Sequence, residues 1–156
     1  MDEYFTAGRG RSTPSPRHGT DSEQLCRAAY AHYSEGDFDG LLELFDPDVV
    51  VYVAPPNFES GTYRGAAEYR ALLERWAASW VEMRIEPQRM KSAGEWILAE
   101  VEYTGRGKES GLEIRQPSWE LSLWRDGRCM RYEVYWDSDQ GLRAFAERSG
   151  QGTNTP

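Results

Sequence analysis

The chain of 156 residues is long enough for one domain with a real core and too short for two domains and a linker. Its formal net charge of −8, with acids spread along the chain, opposes both a nucleic-acid backbone and an anionic membrane surface as partner. No run reaches the apolar length that crosses a bilayer, and the start of the chain lacks the apolar stretch of a signal peptide, so a cytoplasmic setting is expected.

Residues 1–20 carry Gly8, Gly10, Pro14, Pro16 and Gly19 among polar neighbours, without an apolar period that could offset the entropy of ordering them. A disordered tail is expected there, and another over 150–156, leaving one domain over 21–149. Asp21 or Ser22 caps a helix whose members Leu25, Cys26, Ala29, Tyr30 and Tyr33 recur at helical spacing, and Gly36 ends it. A short second helix runs from Phe38 through Leu41, Leu42 and Phe45 and stops before Pro47. The β-branched run Val49, Val50, Val51, Tyr52, Val53 reads as a strand, and Gly61 and Gly65 bracket a turn. Tyr69, Leu72, Leu73, Trp76 and Trp80 place one apolar stripe on a helix over 66–80. Strands fill the chain to Asp137, and a closing helix spans 139–147. There is no internal repeat.

Strand parity sorts the later residues by face. Ile97, Ala99, Val101 and Tyr103 share one face, with Glu100 and Glu102 on the other. Trp119, Leu121 and Leu123 alternate with Glu120 and Ser122. After the Asp126-Gly127 turn, Tyr132, Val134 and Trp136 alternate with Arg131 and Glu133. The reading is an antiparallel sheet with one dry face, covered by helices, and one charged outer face that holds Glu100, Glu102, Glu120, Arg131 and Glu133. Trp96, Trp124 and Tyr135 share the outer parity, and aromatics among charges there point to a homodimer through that face.

Several stretches carry a resemblance in combination: YSEGDFDGLLELFDPDVVVYV (33–53), YRGAAEYRALLERW (63–76), YTGRGKESG (103–111), WRDGRCMRYEVYWD (124–137) and GLRAFAER (141–148). In this order they resemble the SnoaL-like members of the nuclear transport factor 2-like (ketosteroid isomerase-like) superfamily. The resemblance implies an α+β fold in which a curved antiparallel sheet wraps around helices to form a cone with an apolar pocket. The superfamily contains isomerases, polyketide cyclases, dehydratases, epoxide hydrolases and transport factors, so shape alone selects no activity. In the isomerase pattern a first-helix tyrosine and a neutral aspartic acid on a late strand hold an oxyanion, while an aspartate ending the first strand moves the proton. Those positions fall at Ala29, Trp119 and Val53, and all three groups are missing. A one-residue shift brings in Tyr30, Glu120 and Tyr52, but Glu120 then conflicts with strand parity.

Asp137 stands where SnoaL-like sequences commonly read Tyr-x-Asp, which makes it the candidate catalytic base beside a carbonyl; the competing role is the cap of the closing helix. Tyr33, Trp76, Tyr103, Trp119, Tyr132 and Trp136 are the candidate ligand-binding set, against a competing role as plain core. His18 falls in the expected tail and His32 near the end of the first helix, where it suits the helix dipole. With no ligand-spaced cluster, neither metal nor cofactor is expected. Cys26 and Cys129 lack CxxC spacing and read as small buried hydrophobes. The segment GRGKESG (105–111) lacks the strand and helix context of a phosphate loop and reads as a hairpin tip. The function expected is binding of a hydrophobic polyketide-, terpenoid- or steroid-like molecule, with isomerase- or cyclase-type proton transfer. The alternative is a non-catalytic dimeric or protein-interaction module.

Overall fold

The computed structural model describes residues 18–150, so both expected tails lie outside the described residues except at their inner edges. In chain order the elements are α1 (His18–Ser34), α2 (Phe38–Glu43), β1 (Phe45–Val53), β2 (Gly61–Arg64), α3 (Ala66–Ser79), β3 (Trp80–Ala93), β4 (Trp96–Gly107), β5 (Glu113–Arg125), β6 (Arg128–Tyr135) and α4 (Ser138–Ser149). The strands form one six-stranded sheet in the order β2-β1-β6-β5-β4-β3. All neighbours pair antiparallel except β1 and β6, which run parallel with Val51 opposite Tyr132.

The helices form where the apolar period places them. In α1 the residues Cys26, Ala29, Tyr30 and Tyr33 are buried, and in α3 Tyr69, Leu72, Leu73 and Trp76 are buried, both stripes lying on the concave face of the sheet. Gly36 at φ 75° lets the chain leave α1 in the left-handed region that favours glycine. Asp37 then caps α2: its Oδ1 accepts from Gly40 N at 3.0 Å and its Oδ2 meets His32 Nδ1 at 3.0 Å. That backbone bond, with His32 adding to it, holds the Asp37 carboxyl below the usual range.

The first helix starts at His18, so Asp21 lies within its first turn instead of capping it, and three further boundaries differ from the sequence pattern because sheet pairing captured the backbone. Phe45 opens β1 opposite Cys129 instead of closing a helix, and Cys129 N donates to Leu44 O at 2.8 Å. Trp80 opens β3 opposite Gly107 instead of ending α3, and the segment between Gly61 and Gly65 is the short strand β2 rather than a turn. The Asp126-Gly127 turn forms as expected, with φ of 53° and 79°, and joins β5 to β6.

The larger correction concerns β5. One inward row runs across the sheet through Met90, Ala99, Glu120, Val134 and Val53, each 3% exposed or less. Glu120 therefore points into the core, and Trp119, Leu121 and Leu123 point to the convex face. Alternation alone cannot tell which face is dry when both are covered. Here α4 packs on the convex side, where Ala144 and Phe145 join Leu98, Leu121 and Tyr135 in a second apolar cluster. Gly141 lies so close over Trp119 that an added Cβ would collide with it. Glu133, expected on a solvated face, is 0% exposed beneath α4, where it accepts from Arg148, Arg131 and Tyr135. Trp124 also leaves the outer face, because a register shift between Leu123 and Trp124 turns it into the main core.

Candidate functional site

The cone opens at the end of the sheet where α1, α3 and the loop after β1 meet β5. Tyr33, Trp76, Tyr103 and Trp136 surround a cavity of about 250 Å³, completed by Trp80, Met83, Ile114, Asn57 and Gln116. Trp76 meets Tyr103 edge-on with centroids 6.4 Å apart, and Tyr103 meets Trp136 at 5.9 Å. Trp136 is held by its Nε1, which donates to Ala54 O at 2.9 Å. Asn57, Gln116 and Trp136 also border an outer vestibule of about 410 Å³, whose remaining wall is Pro55, Pro56, Asp137 and Gln140. The two spaces share those three side chains as a neck.

Of the expected aromatic set, the fold thus brings together Tyr33, Trp76, Tyr103 and Trp136. Tyr132 lies deeper, packed against Phe45 and Tyr69, where the remaining space is about 20 Å³. Trp119 is on the opposite face of the sheet, under α4. Tyr33 is 7% exposed, and among the described residues its hydroxyl has no hydrogen-bond partner; burial, and then the nearby Glu120 charge, push its pKa up. It is one polar group that the inner cavity offers a ligand, beside the amides of Asn57 and Gln116.

Behind Tyr103 sits Glu120, 1% exposed. Its Oε1 accepts from the Tyr30 hydroxyl at 2.9 Å and from the Tyr132 hydroxyl, while its Oε2 accepts from Tyr103 and Ser118, each at 2.8 Å. Four donors fill the acceptor sites of one carboxylate, which is how a charge-bearing group can sit in an apolar row. Desolvation nevertheless outweighs the four hydroxyls and raises the Glu120 pKa above the ordinary carboxylate value. The one-residue shift that brings in Tyr30 and Glu120 does describe this pair in space, whereas Tyr52 packs outward against Tyr135. The signal was present in the order of the residues, and the parity rule masked it.

Asp137 occupies the vestibule and also caps α4, its Oδ1 accepting from Asp139 N at 2.8 Å and Gln140 N at 3.2 Å. Among the described residues no third bond to its Oδ2 is formed. His32 is tied to Asp37 and lines neither space. The side chains of the described residues form no group of three or more His, Cys, Asp or Glu that could hold a metal. Cys26 and Cys129 are free and buried, as expected. A wider open groove carries Arg84, Arg106 and Arg115, but each faces a glutamate, Arg106 with Glu82 at 3.1 Å and Arg115 with Glu102 at 2.8 Å. Such exposed pairs are worth little and leave no net charge to attract an anion.

A conical α+β layer of this order is the nuclear transport factor 2-like fold. It is shared by a protein of unknown function from Burkholderia pseudomallei (22% identity, TM-score 0.67, covering 79% of this chain and 95% of that one). It is shared also by a hypothetical protein from Catenulispora acidiphila with a ketosteroid isomerase-like fold, in complex with trimethylamine (19%, 0.66, 85% and 97%). A third is TerC, co-crystallised with polyporic acid (20%, 0.66, 80% and 96%). Within that fold the chain belongs to the SnoaL-like domain family, whose model matches residues 26–132. No curated protein matches the chain.

Proposed function

We propose that this SnoaL-like domain binds a hydrophobic small molecule of polyketide, terpenoid or steroid type, and that Asp137 takes a proton from it at the vestibule. The observation that carries the binding reading is the inner cavity: about 250 Å³ walled by Tyr33, Trp76, Tyr103 and Trp136, sharing three wall residues with a second space of about 410 Å³. The inner space suits one or two fused rings. A larger skeleton would extend through the neck toward Asp137. The proton-transfer part rests on the Asp137 Oδ2, which the cap leaves over, and on its place beside Trp136. The two N–H bonds on its Oδ1 favour the alternative, a binding module without chemistry.

A thermal-shift screen against aromatic polyketides, steroids and terpenoids tests binding, since a native-state ligand raises apparent stability by mass action. Trp76→Ala should abolish the shift, and Tyr33→Phe should weaken it. Asp137→Asn separates the two roles, because asparagine caps a helix as well as aspartate does but cannot accept a proton. Binding retained with turnover lost supports the base. Equal turnover in the variant and the wild type removes Asp137 from the chemistry, and no ligand-induced shift with any compound removes the binding reading.

A further inference from the structure

The neck between cavity and vestibule carries two primary amides, Asn57 and Gln116, and the fold fixes which way round each one stands. Asn57 Oδ1 accepts from the backbone N–H of Glu59 at 2.7 Å, and a backbone N–H can only donate. Gln116 Nε2 donates to the carbonyl of Pro117 at 2.8 Å, and a carbonyl can only accept. Both amides are therefore oriented by backbone partners. What remains without a protein partner among the described residues is the Asn57 Nδ2 amino group, a donor, and on Gln116 the acceptor Oε1 together with the second N–H of Nε2.

The supports of this pair are themselves held. Glu59, whose N–H orients Asn57, takes Arg75 of α3 on both oxygens at 3.1 Å, and its carbonyl accepts from the Tyr63 hydroxyl at 2.6 Å. Gln116 lies opposite Tyr103 in the β4–β5 register, so its backbone is fixed by the sheet. The third side chain of the neck, Trp136, is a flat apolar wall.

We infer that Asn57 and Gln116 are the specificity-determining pair of the pocket, selecting a flat hydrophobic molecule that carries a hydrogen-bond acceptor beside a donor. An enolised dicarbonyl, a hydroxy-ketone and a primary amide share that arrangement. The acceptor takes the Asn57 N–H, the donor meets Gln116 Oε1, and the ring system fills the aromatic cavity. A ligand without the donor forgoes the bond to Gln116 Oε1, which is then left to solvent. This rests on the binding reading above and goes beyond it, because ring size alone would admit any naphthalene-sized compound.

Intrinsic tryptophan fluorescence titrations with naphthalene, 2-acetonaphthone and 2-naphthamide test it. Naphthalene offers neither group, the ketone only an acceptor, and the amide an acceptor beside a donor. Wild type should bind the amide roughly three- to tenfold more tightly than the ketone, the worth of one neutral hydrogen bond. Gln116→Met, at an exposed position, should bring the amide down to the ketone's affinity and leave the ketone unchanged. Asn57→Asp keeps the acceptor for Glu59 N–H, so the loop is preserved, and should weaken both ligands relative to naphthalene. Equal affinities for amide and ketone in the wild type, or a preference that survives Gln116→Met, overturn the inference while leaving the binding reading intact. Failure of all three compounds to bind overturns both.

Discussion

At the scale of single residues, Glu120 shows why a correct pattern can give a wrong face. Trp119, Leu121 and Leu123 outrank Glu120 and Ser122 in hydrophobicity, so alternation puts the glutamate outside. The missing information was four hydroxyls from Tyr30, Tyr103, Ser118 and Tyr132, which lie on α1, β4, β5 and β6 and meet only after folding. Their cluster has a pH signature. The folded pKa of Glu120 is raised above the unfolded value, so the folded state binds the extra proton in the window between the two. Stability from this group is complete below the unfolded pKa and is lost as pH rises toward the folded one. Denaturant melts from pH 4 upward should show the wild type losing stability relative to Glu120→Gln, which cannot ionise; parallel pH profiles would contradict the shift. The aromatic residues were more legible, since Tyr33, Trp76, Tyr103 and Trp136 gather at one cavity because the helical and strand periods of α1, α3 and β4 point to the same side.

At the scale of elements, α4 is the piece whose role the residues only half disclosed. Its cap was readable from Asp137 followed by a polar helix start, and the structure forms it. Its packing was not, because nothing local says that Ala144 and Phe145 have Leu98 and Leu121 to meet. Replacing Asp137 with alanine should cost about 1 kcal/mol in chemical denaturation, and Asp137→Asn close to nothing. A stronger attachment is Glu133, whose carboxylate has no solvent and accepts from Arg148 Nε at 2.9 Å. Arg148→Met keeps the stem and removes the charge-assisted bond, and should destabilise the fold by about 1.5–3 kcal/mol with faster amide exchange in α4. An unchanged melt would mean that Arg131 alone suffices. The two edge strands are handled differently: β2 is only four residues long, and the long β3 carries Arg84, Pro87, Arg89 and Lys91, which discourage pairing with another sheet.

At the scale of the whole molecule, the order of elements and the five quoted stretches made the conical fold legible, since each stretch marks a turn or cap that the fold needs. The assembly was less so. The homodimer expectation rested on Trp96, Trp124 and Tyr135, and of these only Trp96 remains half-exposed beside the paired Glu100 and Glu102. Sedimentation at micromolar concentration decides it: a dimer that Trp96→Lys dissociates agrees with that expectation, and a monomer removes it. The parallel pairing of β1 with β6 has a consequence for the life of the chain on the ribosome. Val53 finds its neighbour Val134 only after the intervening residues have been made, several seconds later at roughly 5–20 residues per second. Until then β1 and β2 have no sheet to join, and a two-stranded hairpin alone is marginal in water. A nascent chain arrested before residue 128 clears the exit tunnel should stay sensitive to protease, and release past β6 should protect it in a single step.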